Sequence, residues 1–71
     1  MEHRTSAEWQ AQADKAFASM QRAYQIHGPD EAGRFFDAYS ACRIAATCVE
    51  EPRVLHADDA ERAAQQTLAR L

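Results

Sequence analysis

Glycine and proline are scarce in this chain, and all but Gly33 stand at its joints. Gly28 and Pro29 fall together, Pro52 stands alone, and no other proline interrupts the 71 residues. A proline removes an amide donor and its ring clashes with the preceding turn, so it cannot continue a helix. A glycine just past the last turn closes one. This punctuation predicts three helices, over about 5–27, about 30–51 and about 57–70. Pro52 ends the second by disfavouring helical geometry at Glu51. The starts carry caps as well: Thr5 followed by Glu8 fits a capping box, Gly28 or Asp30 can cap the second helix, and Asp58 with Glu61 repeats the first pattern. Trp9, Ala13, Ala16, Phe17, Met20 and Tyr24 recur at three- and four-residue spacing along the first helix. Ala60, Ala64, Thr67, Leu68 and Leu71 make one stripe on the third. No strand alternation, internal repeat or low-complexity tract is present. The expectation is an all-α fold, a single helical domain over 1–71: a small antiparallel bundle of three helices, a long helical hairpin plus a shorter C-terminal helix.

A tight turn at Gly28-Pro29 makes residue numbers that face each other across the hairpin sum to a near-constant. Tyr24 then meets Phe35, Met20 meets Tyr39, Phe17 meets Cys42, Ala13 meets Ala46 and Trp9 meets Val49. Each large residue has an apolar counterpart, a consistency between levels that supports the hairpin. The second helix keeps another stripe, Ala38, Ala41, Ala45 and Cys48 with Ile44 at its margin, whose small side chains let a further helix approach closely. A helix apolar on two sides is normally buried on both. The third helix is one occupant for this dimer or helix-packing face, and the same helix of a second copy is the other.

Composition bears on that choice. Sixteen of the residues behind the 46% apolar content are alanine, which brings little buried area, and a chain this short buries only roughly 60% of its unfolded surface. A thin core leaves Phe36, Ile26, Val54 or Leu55 partly exposed, so a homodimer is expected.

Cys42 and Cys48 are six apart, which on a helix means about 120° of rotation and about 9 Å of rise. They cannot bridge within one intact helix. Neither has a Cys, His or carboxylate at metal-ligand spacing except Glu51, three residues after Cys48, and His27 and His56 fall at opposite ends of the second helix. Both cysteines therefore read as small buried hydrophobes, with no metal and no cofactor expected. Ser6, Ser19, Ser40 and the two cysteines, with His3, His27 and His56, are not spaced to converge as nucleophile, base and orienting group, and only Gly28 and Gly33 are available for a phosphate loop. The chain is expected not to be an enzyme.

The net charge is −3 and the arginines are scattered, whereas nucleic-acid binding wants a basic stripe. The N-terminus has no apolar leader region, and no run approaches the roughly 18 apolar residues of a membrane span. Two cysteines do not make a secreted disulfide framework. These features predict a cytoplasmic protein, in the host cytoplasm if phage-encoded, with no direct nucleic-acid partner and no membrane partner.

Two surfaces remain as candidate partner sites. Glu50 and Glu51 close the second helix, where the macrodipole disfavours anions, and Asp58, Asp59 and Glu61 open the third. This acidic end either caps and solvates or docks on a basic surface, with His56 among the carboxylates. Near the other turn, Tyr24 and Phe36 beside Phe35 are either core or an aromatic hot spot. In size, charge and architecture the chain is similar to small phage and mobile-element proteins that block host machinery, anti-CRISPR proteins and anti-activators among them. That likeness implies a non-enzymatic protein-binding regulator or inhibitor, acting through a helical face or the acidic end. The alternatives are a self-associating assembly or scaffold module and, third, a nucleic-acid-associated regulator.

Overall fold

A computed structural model describes residues 4–51 and 57–71. Three helices follow in order: α1 (Ser6–His27), α2 (Pro29–Glu50) and α3 (Ala57–Ala69). The local signals that set them are visible in the hydrogen bonds. Glu8 N–H donates to Thr5 Oγ1 at 3.2 Å and Thr5 N–H donates to Glu8 Oε1 at 3.0 Å, so both halves of the capping box form. Gly28 serves both helices at once. Its φ of 90° suits glycine, its N–H donates to the Tyr24 carbonyl at 3.0 Å to close α1, and its carbonyl accepts from Ala32 at 3.3 Å to open α2. Pro29 sits at the first position of α2, where its missing N–H costs nothing. Glu51 N–H donates to the Thr47 carbonyl at 2.9 Å behind the last turn. The stop at Pro52, the exposure of Val54 and Leu55, and the positions of His3 and His56 lie outside the described residues.

One expected cap is corrected. α3 begins at Ala57, which places Asp58 inside its first turn, and Glu61 is buried at 3% exposure. Its carboxylate accepts from the Trp9 indole at 3.0 Å and from the Arg4 backbone N–H at 3.1 Å. A buried indole N–H needs an acceptor, and Glu61 supplies it across 52 residues of sequence.

α2 is the middle of the molecule, packed by α1 and by α3. The core comprises Trp9, Ala13, Cys42, Ala45, Ala46 and Ala64, with Tyr39, Ala41, Val49, Ala60 and Leu68 packed against it. Thr67, Arg70 and Leu71 lie beside Arg34 and Asp37, so α3 runs antiparallel to α2 and returns toward the hairpin turn. The small-residue face of α2 is thereby filled within the chain: Ala38, Ala45 and Cys48 are buried and Ala41 is half-buried, whereas Ile44 stays 52% exposed.

Of the fixed-sum pairs, Trp9 with Val49 and Ala13 with Ala46 belong to one core cluster, while the rings fall differently. Tyr39 has Phe17 as a ring partner, with centroids 5.3 Å apart. Tyr24 shares a groove with Phe36, while Phe35 lines a hollow with Ala23 and Ile26. Alanine explains where the rings lie. α1 buries Ala13, Ala16 and Ala23, and α2 buries Ala32, Ala38, Ala45 and Ala46. Seams of such short side chains let the backbones close tightly, and interaxial distance follows the side chains at the contact. Rings expected between the helices then lie beside the seam.

Candidate protein-docking face

Phe17 and Tyr24 are seven residues apart on α1, two turns along one face, and Phe36 and Tyr39 are three apart on α2. The Phe17–Tyr39 contact at 5.3 Å and the Phe36–Tyr39 contact at 6.3 Å join the two helices' rings into a row. Phe36 is nine residues from Ala45, about half a turn of rotation at ~100° per residue. The row therefore faces away from the side of α2 that carries Ala45, Ala41 and the α3 contact. It remains open: Tyr24 is 60% exposed, Phe36 53% and Phe17 39%.

Between the turn-proximal ends of α1 and α2 this face hollows into a groove of about 830 Å³, with Met20, Tyr24, Ala32, Gly33 and Phe36 among its lining. No atom lies within 4 Å of where a Cβ on Gly33 would stand, so the groove is free at that point. Asp30, Arg34 and Asp37 line it on α2, and Gln21 and Gln25 line it on α1, so carboxylates outnumber cations in the lining by two to one. Arg34 lies between the two aspartates in sequence, but its guanidinium pairs with Glu31 and stands 5.7 Å from the Phe35 ring centre.

The two candidate partner-binding rings, Tyr24 and Phe36, are thus brought together. The acidic end is only partly assembled. Glu50 and Glu51 are exposed at the end of α2, and Asp58 and Asp59 are exposed in the first turn of α3. Asp59 lies 3.4 Å from Arg62 in a solvated pair, and Glu61 is withdrawn into the interior. Glu61 belongs to a clasp that the residue pattern did not mark: the Arg4 guanidinium sits 4.8 Å from the Trp9 ring centre, over the same indole that donates to Glu61. One guanidinium nitrogen of Arg4 is buried without a hydrogen-bond partner among the described residues, and the indole face provides the compensating contact. Only the long-range need of Trp9 for an acceptor could have pointed to this clasp, and a single chain offers many carboxylates.

Cys42 and Cys48 are free and buried. Burial pushes the Cys42 thiol up, with the positive charge of Arg4 pulling partly the other way, so little thiolate is present for nucleophilic or metal chemistry. Among the described residues no three His, Cys, Asp or Glu side chains gather where they could hold a metal ion, and no helix is long and apolar enough to cross a membrane.

Compared with protein-family models, with curated proteins and with solved structures, the chain matches none. Its own geometry defines it as a three-helix bundle that presents an aromatic face, with Asp30, Arg34 and Asp37 along its groove and Arg43 donating to the Tyr39 hydroxyl at 2.9 Å.

Proposed function

We propose that this chain is a small non-enzymatic regulator or inhibitor that docks on another protein through the aromatic face of its helical hairpin. The carrying observation is that Tyr24 and Phe36 stand more than half exposed on one groove while the buried seam is built from alanine. A fully buried ring removes about 150–250 Å² from water, so each of these two has roughly 100 Å² left to bury. At about 25 cal/mol per Å² that is on the order of 2–3 kcal/mol per ring before the costs of association, the scale of an interface hot spot.

A second reading has the same face close on another copy, as a self-associating module. It is favoured by the thin core, whose largest fully buried side chains are Trp9, Cys42 and Cys48. Site-specific photo-crosslinking in the source cells separates the readings. A benzoyl-phenylalanine at position 36 is expected to trap one heterologous protein, and Tyr24→Ala to abolish the adduct while circular dichroism stays helical. An adduct of twice the chain mass supports self-association. An adduct formed only from a crosslinker at Glu51 moves the docking site to the acidic end.

A further inference from the structure

The groove has a shape and a charge that specify what fits it. α3 packs on one side of the hairpin, and the aromatic row looks out from the other. A helix laid between α1 and α2 on that open side completes a four-helix bundle, the usual way for such a hairpin to cover both faces. Phe36 and Tyr24 supply the apolar contacts, and the space beside Gly33 admits a side chain from the incoming helix.

Asp30 and Asp37 select the occupant's charge. Asp30 lies in the first turn of α2, where the macrodipole favours a carboxylate. Asp37 is mid-helix, where no such reason applies. The two are seven residues apart on α2, about 10.5 Å along the axis; Arg34, which lines the groove with them, is paired with Glu31, and Asp37 also borders the hollow that holds Arg70. A second copy is the poorer match: it brings the same two carboxylates and a net charge of −3 to the contact, and like charges across an interface are penalised. We infer that the groove captures an amphipathic helix of a partner protein, apolar along one stripe and carrying lysine or arginine about two turns apart to meet Asp30 and Asp37. This inference rests on the aromatic face being the docking face and adds the chemistry of the ligand.

The test uses the full chain and two labelled peptides in fluorescence anisotropy. One is a designed helix of about 18 residues with a leucine stripe and two lysines seven residues apart at its edge; its twin has glutamate at those two positions. The lysine helix is expected to bind roughly tenfold tighter or more at about 50 mM salt, with the gap narrowing at about 500 mM. Asp30→Asn with Asp37→Asn should shrink the gap to under about threefold, and Phe36→Ala should weaken both peptides by about tenfold. Equal binding of the two peptides, both weakened by Phe36→Ala, overturns the basic-helix inference and leaves the docking face standing. Binding that ignores Phe36→Ala, or no binding of either peptide at about 100 μM, overturns both. A dimer of the free chain that Phe36→Ala dissociates puts a second copy in the groove and overturns the inference.

Discussion

The single tryptophan makes the most demanding contacts in the protein. Trp9 is fully buried, its indole N–H donates to Glu61, and the Arg4 guanidinium lies over its face. Removing the acceptor strands a buried donor, which costs about 1–3 kcal/mol. Glu61→Ala should therefore lower the unfolding free energy by that amount, read from Trp9 fluorescence in urea, whereas Gln66→Ala on the exposed side of α3 should stay within about 0.5 kcal/mol. Glu8 gives a residue-scale prediction in pH. Its hydrogen bond with the Thr5 backbone N–H, then its link with the Thr5 side chain, hold its carboxyl below the ordinary glutamate value. A lowered folded-state value means that the contribution of Glu8 is present above the ordinary range and is lost as pH falls through the lowered one. An NMR titration should show its midpoint rising toward the ordinary value in Thr5→Ala. Residues with local roles, such as Thr5 and Glu8, were legible because their partners lie within one turn. Glu61 was not, since its partner is 52 positions away and the same residue also fits a capping pattern.

Three helices were legible for the same reason: caps, Gly28-Pro29 and apolar periodicity all act over a few residues. The placement of the rings was not, because it depends on which side chains two whole elements close upon. With alanine on several faces of α1 and α2, apolar periodicity alone does not separate a seam of rings from a seam of alanines. The structure takes the alanine seam and sets Phe17, Tyr39 and Phe36 beside it. A seam of this kind resists enlargement. Ala45, with no exposed surface, has no room for three more carbons, so Ala45→Leu should cost about 1–3 kcal/mol by overpacking. Ile44→Ala, one position on and half exposed, should cost less than about 1 kcal/mol. Equal midpoints for the two variants in urea unfolding would mean that the alanine face is not closely packed.

At the scale of the molecule, the proposed function divides stability and recognition between different side chains. Alanine, two cysteines and one clasped tryptophan hold α1, α2 and α3 together, and α3 fills the small-residue face of α2 from within the same chain. Tyr24 and Phe36 are left outside that arrangement, on a groove that Asp30, Arg34 and Asp37 also line. Tyr24 and Phe36 could be named from the sequence as a candidate pair, but their open position follows from the alanine seam and from α3 packing on the other side. The central claim is that these rings serve a partner rather than the core. Its most direct test is urea unfolding of Phe36→Gln, followed through Trp9 fluorescence. A change of no more than about 2 kcal/mol is predicted, since Phe36 is already 53% exposed and the glutamine stem keeps part of the half of the ring's burial that remains. A loss of about 3–5 kcal/mol, the cost of truncating a core aromatic, would place Phe36 in the interior and contradict the account.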